Sequence, residues 1–239
     1  MNPIYTQNFT IEHIHTDRFG RAKPSVLLYF VQEAAGNHCR LLEVDRDALA
    51  PKGLFWAVSR NRVQITRLPR LGETIQVQTW PMPTTRVAYP RSVVAYDQDG
   101  NELFRSISLW VLMDAETRSM VLPGKSGITV DGALTGTELA VPRAIAACPM
   151  ERTANYSVGY SLLDQNGHMN NTRYLDWVCD LLPSDFHETH SPQEITLCYM
   201  AEAREGDEIA VQHTLSDGPT LTVDAQRQGE RIFSAQVLF

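Results

Sequence analysis

Cysteine is scarce in this chain, and its placement rules out most of what cysteine builds. Cys39, Cys148, Cys179 and Cys198 are scattered, with no C-x-x-C pair and no metal-like spacing, which argues against a disulfide framework and a thiolate metal site. Isolated thiols of this kind are expected to be reduced, as in a cytoplasmic protein. Long apolar runs are also missing, since none approaches the roughly 20 residues that a membrane-spanning helix needs. The opening MNPIYTQNFTIEHIH has no basic segment followed by an apolar one, so no secretory signal is expected. Basic charge is short as well: 21 Lys+Arg against 28 Asp+Glu give a net charge of −7, unlike a nucleic-acid-binding chain. Gly124, Gly127 and Gly132 form no phosphate-loop pattern, because no helix signal follows them.

What remains is ordinary soluble-protein composition with an uneven charge. Hydrophobic residues make up 43% of 239 residues, enough for one large core or two domains of roughly 100 to 120 residues without staples, metal or cofactor. Residues 1–130 carry 15 Lys+Arg against 12 Asp+Glu, net +3, and residues 131–239 carry 6 against 16, net −10. Arg60, Arg62, Arg67 and Arg70 fall within eleven residues, and Arg86 and Arg91 follow. Such a run reads either as a solvated strand face or as a basic patch that meets an acidic partner.

The chain also repeats itself. TDRFGRAKPSVLLYFVQEA (from Thr16) matches LDQNGHMNNTRYLDWVCDL (from Leu163) at a constant offset of 147, placing Asp17 on Asp164, Gly20 on Gly167 and Ser25 on Thr172. VQITRLPRLGETIQVQ (from Val63) matches LCYMAEAREGDEIAVQ (from Leu197) at an offset of 134, with Gly72-Glu73 on Gly206-Asp207. Two blocks in the same order point to a duplicated unit.

Each unit predicts an opening strand (about Tyr5–His15; about Tyr156–Leu163), a turn containing glycine, a helix, and then about four strands. The helices are PSVLLYFVQEAAGNHCRLL and NTRYLDWVCDLL. Pro24 suits a first helical turn, and Asn170 or Asn171 suits an N-cap. The first helix is apolar almost all round, which predicts burial. Asp99-Gly100 and Asp217-Gly218 suit hairpin turns, and Leu122–Pro149 reads as a linker.

Asp164-x-Asn166-x-His168-x-Asn170-Asn171 gathers an acid, amides and an imidazole just ahead of the second helix. One reading is structural, with Asp and Asn closing a turn and capping the helix. The other is chemical, because free N–H groups at a helix N-terminus favour developing negative charge and an adjacent base can activate water. The first repeat has Phe19, Arg21 and Lys23 where the second has Asn166, His168 and Asn170, so only one copy carries these groups. Cys198 reads as a core thiol, and His13 and His15 as strand histidines.

LDQNGHMNNTRYLDW (from Leu163), WAVSRNRVQITRLPRLGETIQVQTWP (from Trp56) and EITLCYMAEAREGD (from Glu194) resemble the double-hotdog acyl-acyl-carrier-protein thioesterases over nearly the whole chain. The resemblance implies an α+β fold of two tandem hotdog units, each an antiparallel sheet wrapped round a long central helix. The expected division is an N-terminal hotdog over residues 1–122 that holds the acyl tail, a linker over 123–150, and a catalytic C-terminal hotdog over 151–239. It implies hydrolysis of fatty acyl-ACP thioesters to free fatty acid and holo-ACP, without a cofactor. It maps Asp164, Asn166 and His168 onto the site motif, and Glu202 onto an acid of the following strand. Plant members carry a cysteine where this chain has Ala203, so water is the expected attacking species, activated by Glu202 or Asp164. Ala34 and Ala35 are candidates for lining the acyl-chain tunnel. Arg60, Arg62, Arg67 and Arg70 are candidates for docking acyl carrier protein, whose acidity suits a basic patch. Either a monomer or a homodimer fits. The rivals are a hotdog thioesterase acting on coenzyme A esters and a non-catalytic acyl-sensing regulator. The regulator would need a DNA-binding segment ahead of the first strand, which is not expected here.

Overall fold

Period-two alternation in the sequence becomes strand in both halves of the chain, and apolar residues at helical spacing become helix. The computed structural model describes residues 3–239. Two units separate: residues up to Lys23 with Leu27–Pro142, and Pro24–Val26 with Arg143–Phe239.

The first unit contains β1 (Tyr5–Thr10), α1 (Pro24–Leu41), the short α2 (Arg46–Leu49), β2 (Leu54–Ile65), β3 (Thr74–Pro81), β4 (Tyr89–Tyr96), β5 (Glu102–Asp114), β6 (Met120–Val121) and α3 (Pro123–Ser126). Its strands run β1-β3-β4-β5-β2, with β6 on β5. The second unit contains β7 (Arg152–Ser157), α4 (Arg173–Asp180), α5 (Ser184–Thr189), β8 (Glu194–Tyr199), β9 (Glu208–Leu215), β10 (Thr220–Arg227) and β11 (Glu230–Leu238). Its strands run β7-β9-β10-β11-β8, the same order element for element. All these pairings are antiparallel, and the register repeats too: Thr10 faces Thr74 in the first unit and Ser157 faces Glu208 in the second. Those pairs differ by the sequence offsets of 147 and 134.

Several sequence expectations need correction. The opening strands stop at Thr10 and Ser157, and short 3-10 turns follow at His13–His15 and Tyr160–Leu162. His13 and His15 therefore do not lie on a strand. Helix α1 is not buried all round: Leu27, Leu28, Phe30, Val31, Ala34, Ala35 and His38 face inward, while Tyr29 and Leu41 are exposed. Helix α4 is only eight residues long, ending ahead of Pro183, which disfavours helical geometry in the residue before it. Within the supposed linker, Trp80 Nε1 donates to Glu138 at 3.1 Å and Arg105 donates to the Thr137 carbonyl at 2.7 Å. Residues 123–142 thus bond to the strands of the first unit.

Ring contacts seat each helix on its own strands. Phe30 of α1 meets Phe9 of β1 at 4.6 Å between centroids. In the second unit Trp177 stacks on Tyr156 at 4.8 Å and Tyr174 on Phe233 at 4.8 Å. Among the described residues no helix is long and apolar enough to cross a membrane.

The deepest charge in the first unit is Arg91, at 5% exposure. It points away from solvent, contrary to the exposed basic run expected from sequence, because β4 is buried from Tyr89 to Ala95. Its hydrogen-bond partners are neutral: His38 Nδ1 at 3.1 Å, Thr79 Oγ1 at 3.3 Å and Cys39 Sγ at 3.5 Å. Tyr5 stacks on the His38 ring at 5.6 Å. Burial, and then the Arg91 guanidinium, lower the His38 pKa from 6.5 to about 4.

The unfolded chain therefore takes up a proton that the fold refuses, and stability falls as pH drops from 6.5 toward about 4. Substituting His38→Gln should flatten this decline by up to about 3 kcal/mol, from a shift of roughly two to three pH units. Thermal melting of both proteins at pH 7 and pH 4 checks it; an equal fall in both would refute the assignment.

Candidate active site

The turn ahead of α4 is built by one carboxylate. Asp164 Oδ1 accepts the Asn166 N–H at 2.7 Å and the His168 N–H at 3.4 Å, and Oδ2 accepts Asn166 Nδ2 at 3.3 Å. The backbone closes the same loop, with Asp164 N donating to the His168 carbonyl at 2.8 Å and Gly167 N to the Asp164 carbonyl at 3.0 Å. Gly167 sits at φ +73, a left-handed conformation in which a side chain would be strained. The first unit has the same turn. Asp17 Oδ1 accepts from Phe19 N and Arg21 N, both at 2.9 Å, and Gly20 sits at φ +72.

Each turn is then pinned to the strap that leaves the following strand. Met169 N donates to the Ala203 carbonyl at 2.8 Å, and Ala22 N to the Pro69 carbonyl at 2.7 Å. Single antiparallel bridges join His168 to Arg204 and Arg21 to Arg70. These contacts place residue 168 beside the strap, and its side chain does what the first unit's cannot. His168 Nε2 lies 3.1 Å from Glu202 Oε2, with the imidazole 16% and the carboxylate 37% exposed. At the matching positions Arg21 pairs with its own Asp17, Nη2 to Oδ2 at 3.0 Å, and Leu68 is a buried core residue.

The predicted site residues therefore separate into two groups. His168 and Glu202 are in contact, while the Asp164 carboxylate is occupied by its own turn, with Asn166 exposed beside it. Glu202 lies three residues beyond the end of β8 rather than on it, held with Arg204 Nη2 at 3.9 Å from its carboxylate. Asn170 does not cap α4 as the N-cap; that position is Thr172. Instead Asn170 Oδ1 accepts both the N–H and the hydroxyl of Thr172, at 2.9 and 2.8 Å. The helix terminus is thereby partly satisfied from within.

Of the cysteines, Cys198 is buried and Cys179 has its thiol pushed up to about 12, by burial first and then by Asp176 and Asp180. Such a thiol is a poor nucleophile. Among the described residues no group of three or more His, Cys, Asp or Glu comes together as metal ligands would. Of the arginines expected to dock a partner, Arg60 donates to the Pro142 carbonyl at 3.1 Å and Arg67 pairs with Glu73 at 2.8 Å and Asp97 at 3.4 Å. Arg62 is half-buried and Arg70 exposed.

Sequence reading missed the residues that hold the strap. Arg227 Nη1 donates to the Glu202 carbonyl at 3.0 Å and to Asp207 Oδ2 at 2.7 Å, and Nη2 to Glu230 at 3.1 Å. Burial raises the Asp207 pKa, but the Arg204 N–H and the Arg227 guanidinium outweigh it and hold the group below its ordinary value. Gly206-Asp207 on Gly72-Glu73 was a visible signal for Asp207. Nothing local marked Arg227, which reaches the strap only through strand register.

The family model of the acyl-ACP thioesterase N-terminal domain matches residues 2–122, and that of the C-terminal domain matches residues 147–239. The chain belongs to the acyl-ACP thioesterase family. A chloroplastic palmitoyl-acyl carrier protein thioesterase of Gossypium hirsutum is 28% identical over 232 residues, covering 91% of this chain and 56% of the relative. A chloroplastic oleoyl-acyl carrier protein thioesterase of Arabidopsis thaliana is 27% identical over 226 residues, covering 86% and 62%. The chain thus spans little more than half the length of these relatives. An acyl-ACP thioesterase from Bacteroides thetaiotaomicron has a matching structure, with a TM-score of 0.89 at 26% identity, covering 100% of this chain and 98% of that one. A 12:0-ACP thioesterase from Umbellularia californica shares the fold, with a TM-score of 0.85 at 22% identity over 100% and 97%.

Because the Asp164 carboxylate closes the turn, Asp164→Ala should cost stability, about 1 to 2 kcal/mol by analogy with lost capping side chains. Glu202→Gln, which leaves every turn hydrogen bond in place, should melt within a degree or two of the parent. Thermal or urea unfolding of the two variants checks this, and equal stability loss in both would show that Asp164 does not hold the turn.

Proposed function

We propose that this protein hydrolyses fatty acyl thioesters carried on acyl carrier protein, with water activated at the His168–Glu202 pair. The observation that carries the reading is the 3.1 Å imidazole–carboxylate contact, present in the second unit and replaced in the first by Arg21 and Leu68. With Nε2–H donating to Glu202, His168 Nδ1 is the lone pair that takes a proton from water as it attacks the thioester carbonyl. The proton then goes to the departing phosphopantetheine thiolate. Asn166 has its amide N–H directed at Asp164, which leaves Oδ1 to orient the water. Asp164 shapes the turn that presents both. Ala203 offers no thiol, so no covalent acyl-enzyme forms there.

In this reading each unit is a hotdog, with the C-terminal one catalytic and the N-terminal one holding the acyl tail against the buried α1 face of Ala34 and Ala35. The relatives named above act on palmitoyl- and oleoyl-acyl carrier protein, which supports an acyl carrier protein as the partner. The net +3 of residues 1–130 supports docking of that acidic carrier on the first half. Arg60, Arg62, Arg67 and Arg70 remain the candidate docking residues; Arg67 is already neutralised by two carboxylates, so Arg70 carries the most. Four free cysteines fit a reducing, cytoplasmic setting, with the protein a monomer or a homodimer.

Release of free thiol and free fatty acid from acyl-ACP and acyl-CoA should be measured side by side. His168→Ala and Glu202→Gln should each lower kcat at least about a hundredfold, the scale of losing one catalytic proton-transfer or oxyanion group. Activity within a few-fold of the parent in both variants would exclude this site. Carrier docking has its own test: Arg70→Glu should raise KM for acyl-ACP several-fold and weaken its salt dependence, leaving acyl-CoA unaffected. A parallel rise for both substrates would remove Arg70 from carrier recognition.

A further inference from the structure

The strap between β8 and β9 carries Glu202, and its anchoring differs from that of the first unit at one point. In both units two successive N–H groups at the start of the strap donate to one carbonyl of the neighbouring strand. Met200 and Ala201 donate to Ile232 at 2.9 and 3.2 Å, and Thr66 and Arg67 donate to Leu103 at 2.9 and 3.1 Å. Both straps end on an acid that follows a glycine, Asp207 and Glu73. Both are answered from the strand end beyond a register shift, after Ala225 in β10 and after Ala95 in β4. Two residues past each shift stand Arg227 and Asp97.

The charges at these positions are exchanged. In the first unit the arginine is on the strap, as Arg67, bridging Glu73 and Asp97. In the second, position 201 is alanine and the arginine is at 227, on the strand end. Both arrangements neutralise the acid at the end of the strap. The Arg67 guanidinium bonds the carboxylates of Glu73 and Asp97, whereas Arg227 also directs a guanidinium N–H at a strap carbonyl, that of Glu202. Because Asp207 also accepts the Arg204 N–H at 2.9 Å, the Arg227 guanidinium ties the strap on both sides of the turn through Nη1, while Nη2 holds Glu230.

We infer that Arg227 is a positioning residue for the Glu202–His168 pair: its grip on the Glu202 carbonyl sets the direction from which the carboxylate meets the imidazole. Arg227 does not touch the reacting atoms, and the inference rests on the reading that the pair performs the chemistry. Small displacements of a catalytic group are expensive in rate, up to about a hundredfold for 1 Å. The exchange of charge between the two units is what a purely stabilising ion pair leaves unexplained, since Arg67 stabilises its strap without touching the Leu68 carbonyl side.

The experiment compares Arg227→Ala, Arg227→Lys, Glu202→Gln and the double variant Arg227→Ala/Glu202→Gln, on intact folded protein with acyl-ACP as substrate. Arg227→Ala should lower kcat about ten- to thirtyfold with KM within about twofold. Lysine, which keeps the charge but not the fork, should restore only part of the loss. In the double variant the Ala change should add less than about twofold to the Glu202→Gln defect, since both act through one group. A multiplicative double variant, full rescue by lysine, or a kcat loss no larger than the unfolded fraction would reduce Arg227 to a structural ion pair. If Glu202→Gln keeps parental activity, the site reading fails instead, and the Arg227 role falls with it. If Glu202→Gln is inactive while Arg227→Ala is not impaired, only the positioning role is overturned.

Discussion

One carboxylate in each unit decides where everything else goes. Asp17 and Asp164 each gather N–H groups two and four residues ahead of them, so that a glycine can turn left-handed and the chain can double back. The turn then does two jobs at once. It delivers the chain into α1 or α4, and it presents the next backbone N–H to the strap. Without it the helix entry and the strap would be independent, and no side chain of one would have a fixed distance to the other. Unpaired backbone groups in so tight a loop would also cost free energy comparable to lost hydrogen bonds.

Duplication of this frame frees individual positions. Arg21 serves its own turn by pairing with Asp17, an ion pair that lies within five residues of chain. Replacing that arginine by His168 leaves the Asp164 turn intact, because the carboxylate is held by the Asn166 and His168 backbone N–H groups and the Asn166 amide. The imidazole can then turn outward to Glu202. A partly exposed pair of this kind adds little stability, roughly 0 to 1 kcal/mol, so stability is a weak explanation for it. In the first unit the position matching Glu202 holds the buried Leu68, which gains packing instead.

The sequence was informative wherever the determinant was local. The two repeats, the glycine turns, the Pro24 helix start and the strand positions follow from spacing and turn chemistry. The Asp164–His168 turn followed as well, as one of two open readings. What failed did so for tertiary reasons. Residues 11–15 continue the strand's alternation, but the pairing ends where Ile11 exchanges hydrogen bonds with Glu73 and Gly72, and His13–His15 then form a 3-10 turn. Arg91 read as part of a basic run, yet β4 is covered along its length and the guanidinium is satisfied by His38, Thr79 and Cys39. Glu202 came from resemblance and not from pattern, and Arg227 was invisible because hairpin register, not sequence distance, brings it to the strap.

The division of labour proposed for the two acids rests on these constraints. A carboxylate that must hold several N–H groups at 2.7 to 3.4 Å has its lone pairs engaged and its orientation fixed, which suits architecture and opposes proton abstraction. A carboxylate on the strap, 37% exposed and facing an imidazole, keeps an edge open to water. Each is fixed by the other's support: the turn places the imidazole, and the strap places the acid that orients it. At the start of α4 the Asn170 side chain accepts the N–H and hydroxyl of Thr172, the N-cap residue, and the Asn170 carbonyl accepts the Arg173 N–H. In the proposed reading the chemistry sits at the junction of turn and strap, where His168 and Glu202 stand in place of Arg21 and Leu68.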